Sequence, residues 1–316
     1  MKTKNLEHNM LNETLSQHQL NQWHDQQAYN ACECAVTITE RAWGRAPAPF
    51  VFFLTGSGGR KEQSVRSDQD HGIIFWGKDE EQAYFQYLGE QITHQLEKAG
   101  YPRCEGKVMS NHAAWCQSYH AWFSQIDEWL EENSWSSLRY LLIFSDARAL
   151  YGAKWLLDDI KNSLFQQIAP GSNAMKRLIE NTAHRQRGIN AIGQILTVSN
   201  GEYQGTFNFK EQVLYPVVHA ARLWAFRENL QPTSTIERLG ALQGKHSNTP
   251  QVPGWFEKAL ELRLKYCRRD KTEGIHFINP GYFTKSETAL VKKWMTDGAR
   301  FMRKTEQQLL HECKKR

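Results

Sequence analysis

Five apolar residues in a row, Phe50-Val51-Phe52-Phe53-Leu54, run straight into the glycine-rich stretch Thr55-Gly56-Ser57-Gly58-Gly59-Arg60. A short apolar run bounded by glycine predicts a strand buried on both faces. A polar stretch follows, with room for one short helix, and ends in Ser67-Asp68-Gln69-Asp70. Directly behind it, Gly72-Ile73-Ile74-Phe75-Trp76 predicts a second buried strand. Two buried strands joined through a glycine turn and an acidic segment leave few options. They require a small sheet, with the turn and the acids leaving it together.

That pairing has a specific chemistry. A Gly-Ser turn after a buried strand lets backbone N–H groups and a hydroxyl approach phosphate oxygens closely. Asp68 and Asp70 are two apart in an extended segment, so both carboxylates emerge on one side. Two carboxylates beside a phosphate-binding turn suit a hard divalent cation such as magnesium or manganese. Such ions can clamp the attacking and leaving oxygens of an in-line phosphoryl displacement. Other phosphate motifs do not fit. Lys61 stands where a dinucleotide fingerprint needs its third glycine, and no Gly-Lys-Ser/Thr follows at P-loop spacing.

Residues 1–45 form a polar segment with helical patterning, broken by Pro47 and Pro49. Residues 79–99 predict a helix stopped by Gly100, with Pro102 beyond, and a third extended segment is expected near Arg103–Met109. From about residue 115 amphipathic stretches dominate, at 121–132, 136–150, 154–168, 173–198, 209–229, 253–269 and 286–312. The expected class is therefore α+β. N-terminal helices (1–45) precede a small mixed-sheet domain (46–165), and an α-helical bundle that binds substrate follows (166–316). Trp115, Trp122, Trp129 and Trp135 fall near seven-residue spacing and are expected in the core, as are Cys32 and Cys34.

Apolar residues at 40% and charged residues at 23% are ordinary globular usage. The net charge of +5 draws on Arg263, Lys265, Arg268, Arg269 and Lys271, and on Lys314, Lys315 and Arg316. These form a solvated helix face and tail, or a surface that attracts a polyanion such as a nucleotide. A dense basic stripe is absent, so no nucleic-acid partner is expected. The six cysteines make no Cys-x-x-Cys pair, no apolar leader opens the sequence and no run reaches membrane-span length. A cytoplasmic protein without a membrane partner is the simplest expectation.

The segment GSGGRKEQSVRSDQDHGIIF resembles the Gly-Ser … Arg … Ser-Asp-x-Asp signature of the DNA polymerase beta-like nucleotidyltransferases. Within that superfamily it is most similar to the branch related to PII-protein uridylyltransferases. More narrowly, it resembles a family often fused to cyclic-nucleotide-binding and CBS domains. The resemblance extends over nearly the whole length. It takes in Trp23-His24-Asp25, Gly106-Lys107-Val108-Met109, Trp115-Cys116 and Phe144-Ser145-Asp146-Ala147-Arg148. Asn208-Phe209-Lys210 and Thr235-Ile236-Glu237-Arg238-Leu239 carry it into the helical half.

This resemblance implies that Gly56 and Ser57 hold nucleotide phosphates and that Asp68 and Asp70 ligate metal ions. Arg60 and Ser67 would contact phosphate or brace the loop. The superfamily normally adds a third carboxylate, as metal ligand or general base. Glu105 is the topological candidate for it, and Asp146 is the other acid in range. Lys210, in the helical half that packs over the nucleotide in such proteins, would reach the phosphates, although a surface lysine at a helix start is the plainer reading. His184, Arg185 and Arg187 could line a cleft or a solvated helix face.

The implied activity is transfer of a nucleoside monophosphate from a nucleoside triphosphate to an acceptor hydroxyl, on a protein or a small molecule, with release of pyrophosphate. The alternative is a nucleotide-sensing regulatory protein with weak or no turnover.

Overall fold

The computed structural model describes residues 16–183, 187–243, 254–267 and 273–314. The chain has α+β architecture and divides into two compact units, Met1–Gln166 and Gln167–Arg316. No helix among the described residues is long and apolar enough to cross a membrane.

The first unit opens with α1 (Gln17–Trp43), started by a capping box between Ser16 and Gln19 and stopped at Gly44, whose φ is +85°. Its buried stripe, Leu20, His24, Ala28, Ala31, Cys32, Ala35 and Thr39, recurs every three or four residues. Most of these side chains are small, so the helix lies close against what it covers. Strand β1 (Phe50–Leu54) follows, then a single helical turn at Gly56–Gly59, strand β2 (His71–Phe75) and α2 (Gln82–Lys98). Strand β3 (Cys116–Ser118), α3 (Tyr119–Glu132), α4 (Trp135–Phe144), β4 (Arg148–Gly152) and α5 (Lys154–Gln167) complete it.

The sheet has the order β3-β2-β1-β4. β1 is antiparallel to both β2 and β4, while β2 and β3 run parallel. Alternate side chains of the two central strands feed two cores, as a period of two requires. Phe50, Phe52, Leu54, Ile73 and Phe75 pack with α1 and α2 in one cluster. On the other side Phe53 meets Trp122 and Phe144, and Trp122 stacks on Phe144 at 4.9 Å. The Trp122 indole donates to the Ile73 carbonyl at 3.0 Å, which satisfies its buried N–H.

Several expectations need correction. The helix expected over 136–150 ends at Phe144, and Arg148–Gly152 is an edge strand against β1. Arg103–Met109 is a turn with no strand, and the third strand comes later, at Cys116. Trp115, Trp122 and Trp129 are core residues, but Trp135 starts its helix 58% exposed. Cys32 is buried whereas Cys34 is exposed.

The second unit is helical: α6 (Asn173–Thr182), α7 (Tyr215–Glu228), α8 (Thr235–Leu242), α9 (Phe256–Tyr266) and α10 (Lys285–Lys314). The helix expected over 173–198 stops at Thr182, and the helix at 235–242 was not anticipated. A π-helical segment, Lys210–Leu214, leads into α7. A two-stranded ribbon, β5 (Phe207–Asn208) with β6 (Phe277–Ile278), closes the unit. Of the late basic residues, Arg263 is buried and Lys265 pairs with Glu287 at 2.8 Å. Arg268, Arg269, Lys271, Lys315 and Arg316 lie outside the described residues, as do His184 and Arg185.

Candidate active site

At the end of β1 the Thr55 N–H donates to the Asp70 carbonyl at 2.9 Å, and its hydroxyl donates to the Ile143 carbonyl. The glycine turn therefore starts tied to the acidic segment. Gly56 has φ +54°, and a Cβ on it would overlap Oδ2 of Asp70. Only glycine allows the Asp70 carboxylate to lie directly on this backbone. Ser57 Oγ is 3.2 Å from Ser67 Oγ, a second link between turn and acidic segment. Gly59 packs so closely on the Asp146 carbonyl that a Cβ there would overlap it too.

The turn is braced from beneath by buried charge. Arg60, 5% exposed, donates from Nε to Glu62 at 2.8 Å and from Nη1 to Asp146 at 2.7 Å. Asp146 is fully buried on Arg60, so it is a brace under the turn and not the third carboxylate facing a substrate. Arg148 instead grips Asp25 through both nitrogens, at 2.6 and 3.0 Å, and donates to the Gly58 carbonyl at 3.0 Å.

Helix α1 holds the next stretch. Gln17 donates to the Gln63 carbonyl at 2.8 Å, and Asn21 donates to the Lys61 carbonyl. His24 is buried, with Nε2 2.8 Å from the Ser64 carbonyl and Nδ1 2.6 Å from the Tyr101 hydroxyl. A carbonyl can only accept, so Nε2 carries the proton and Nδ1 accepts from Tyr101.

Burial pushes the His24 imidazole down from 6.5 to about 4, against the smaller opposing effects of the Ser64 carbonyl and Asp25. The folded state thus keeps His24 neutral where an unfolded chain would protonate it. Its contribution to stability is complete above about pH 6.5 and is lost as the pH falls to about 4, a loss on the order of 3 kcal/mol. Urea midpoints measured across this window should fall with pH, and His24→Asn should flatten that slope. An unchanged slope in the variant would contradict the assignment.

A second network fixes the loop opposite. Gln69 is buried and donates both amide hydrogens, to the carbonyls of Tyr101 at 2.8 Å and Thr93 at 3.1 Å. Its Oε1 accepts from His71 Nε2 at 2.9 Å, while His71 Nδ1 accepts the Ser110 N–H at 3.2 Å. The backbone adds two ties: Gln69 N–H to the Pro102 carbonyl at 3.1 Å and His71 N–H to the Val108 carbonyl at 3.0 Å. Residues 102–108 are therefore anchored at both ends on the segment that carries the acids.

That loop brings Cys104 to the two carboxylates. Asp68, Asp70 and Cys104 each offer one ligand atom, all within 4.8 Å of one another. The donor set fits a divalent cation: two carboxylate oxygens and a sulfur, all partly open to solvent. Burial, then the neighbouring Asp70 and Asp68 charges, push the Cys104 thiol up to about 12. Behind the acids a cavity of about 20 Å³ is lined by His24, Gly58, Gln63 and Tyr101, space for about one water.

The structure thus brings Gly56, Ser57, Ser67, Asp68 and Asp70 together. It places Arg60 as a buried brace under them and Glu105 on the exposed turn after Cys104, outside the group of three. Cys104 was missed because it has no metal-binding spacing with any other cysteine or histidine. Its position depends on Gln69 and His71 instead. Lys210 belongs to the second unit, at the start of the π-helical segment. Its amine is 3.4 Å from His276 Nε2 and 5.3 Å from the Tyr215 ring centre. Burial, then the charges of Lys210 and Arg263, push His276 down to about 2, so a neutral imidazole faces the amine.

No curated protein matches the chain. Residues 1–135 match the family described as putative nucleotidyltransferase DUF294, and residues 172–309 match the putative nucleotidyltransferase substrate binding domain. The first match covers the glycine turn, both acids and Cys104, and the second covers Lys210. The chain belongs to the DUF294 family, in its first unit and in its second alike.

Proposed function

We propose that the chain transfers a nucleoside monophosphate from a nucleoside triphosphate to a hydroxyl of a protein or small molecule, releasing pyrophosphate. The observation that carries this is the joining of a Gly56-Ser57 turn to the Asp68 and Asp70 carboxylates, in a family of nucleotidyltransferases. The first N–H groups of a helical turn lack intrahelical partners, and here they belong to Gly56, Ser57 and Gly58. Those amides and the Ser57 hydroxyl, steadied by Ser67, hold the triphosphate oxygens. Asp68 and Asp70 hold magnesium or manganese, which supplies charge neutralisation and polarises the phosphoryl oxygens.

The chain's own part is positioning. Arg60, Arg148 and His24 brace the turn and the residues after it from behind, which holds the amides in place for the phosphates. Glu105, solvent-exposed on the turn after Cys104 and outside the group of three, is not one of the cation's ligands in this reading. All six cysteines are free, which suits a reducing compartment such as the cytoplasm.

The test is to incubate the protein with each labelled nucleoside triphosphate and magnesium or manganese, with mass spectrometry for pyrophosphate and the modified acceptor. Label transfer and pyrophosphate release are expected with a divalent cation, and a chelator should stop both. Tight triphosphate binding with no product from any nucleotide would favour a sensor. That second reading draws on one observation, the absence of Glu105 from the group that faces the cation.

A further inference from the structure

We propose that Cys104 supplies the third ligand atom of the cation site, a sulfur beside the Asp68 and Asp70 oxygens. The site then takes a borderline divalent cation, such as manganese, cobalt or zinc, in preference to magnesium. This inference concerns the site assigned above to nucleotidyl transfer and rests on that reading.

Three features of the structure carry it. The ligand atoms of Asp68, Asp70 and Cys104 lie within 4.8 Å of one another, close enough to share one ion. The loop bearing Cys104 is clamped on the acidic segment at both ends, through Gln69 N–H to Pro102 and His71 N–H to Val108. Between those clamps a tight turn closes with the Lys107 N–H on the Cys104 carbonyl at 3.1 Å, Lys107 having φ +56°. The Cys104 N–H is directed at the Met109 sulfur at 3.3 Å. The sulfur is thus delivered by backbone geometry.

The turn also explains why the neighbouring carboxylate does not take this place. Glu105 is the next residue, but the turn sends it to the exposed side while Cys104 stays partly buried beside the acids. Hard magnesium prefers six oxygens and near-ideal octahedral geometry, and thiolate selects softer ions. Two carboxylates and one thiolate leave coordination positions open for triphosphate oxygens, as three-ligand catalytic sites do. On binding, the thiol proton leaves to solvent and the sulfur lone pair enters the metal–sulfur bond. The process involves no oxidation or reduction.

The experiment uses the full chain, stripped of metal and titrated with cobalt(II). Electronic absorption reads the sulfur-to-cobalt charge-transfer band in the near ultraviolet, and calorimetry reads manganese and magnesium affinities. A saturable band is expected in the wild type and in Glu105→Gln, and its loss is expected in Cys104→Ser. Cys104→Ser should also weaken manganese binding by at least about tenfold while magnesium affinity changes little. Cys104→Asp, which replaces sulfur by a third carboxylate, should shift the preference to magnesium. No band in the wild type at saturating cobalt, or an equal band in Cys104→Ser, would overturn the proposal.

The two readings fail differently. Label transfer without a cobalt–sulfur band removes the sulfur ligand and leaves the nucleotidyltransferase reading intact. A band that depends on Cys104, with no product from any nucleotide, retains the ligand and removes the reaction.

Discussion

Asp68→Asn is expected to lower nucleotidyl transfer by about a thousandfold or more, close to 4 kcal/mol of transition-state stabilisation, with little change in folding stability. Asparagine keeps the shape of the side chain and removes the charge that attracts a cation. Asp68 is partly exposed and stands outside both cores of the sheet, so nothing in the packing depends on it. Substitutions at such places usually move stability by under about 0.5 kcal/mol. Initial rates of label transfer and urea midpoints measured on the same preparation check both halves. A wild-type rate in the variant would remove Asp68 from the mechanism.

Asp146→Ala reverses that pattern. Its carboxylate is fully buried, 2.7 Å from a guanidinium that is itself 5% exposed. Breaking a buried pair by deleting one partner typically costs about 3–5 kcal/mol, and because Glu62 still holds Nε of Arg60 the lower end, about 3 kcal/mol, is expected. Much of the stability of an ordinary domain is lost with it. Urea unfolding followed through the emission of the Trp115, Trp122 and Trp129 cluster should show the shift. The triple change Arg60→Met, Glu62→Gln and Asp146→Leu should recover part of it, because neither the guanidinium nor the Glu62 carboxylate is then left buried without its partner. A loss under about 1 kcal/mol in Asp146→Ala would contradict the cost expected for this buried pair.

Much of the first unit was legible from local pattern. Phe50–Leu54 and the strand beginning near Gly72 were recognisable because a strand buried on both faces needs an unbroken apolar run, and few other segments here have one. The long helix ending before Gly100 was recognisable from its spacing and its stop. Arg148–Gly152 was not. As an edge strand it is only half-buried and carries no apolar run of its own, and its partner β1 lies about a hundred residues earlier. Propensity gave way to tertiary pairing there.

The site divides along the same line. Gly56, Ser57, Asp68 and Asp70 are close in sequence, so a motif could capture them. The residues that shape them come from elsewhere: Asp146 is 86 positions from Arg60, and Arg148 is 123 from Asp25. Cys104 faces the acids only because Gln69 and His71 hold its loop. No local pattern signals such a partner, since each side chain looks ordinary in its own neighbourhood.

The grip of α1 on the glycine loop bears on the order in which this protein can assemble. Gln17, Asn21 and His24 cap carbonyls at 61, 63 and 64, and Asp25 reaches the Gly58 carbonyl through Arg148. A peptide from Phe50 to Phe75 would contain every residue of the motif and still lack the conformation that makes it a site. Those carbonyls would turn to water, and the glycines would wander among many backbone states. The catalytic loop is therefore a late-forming part of the molecule, shaped only once a helix some forty residues upstream has docked.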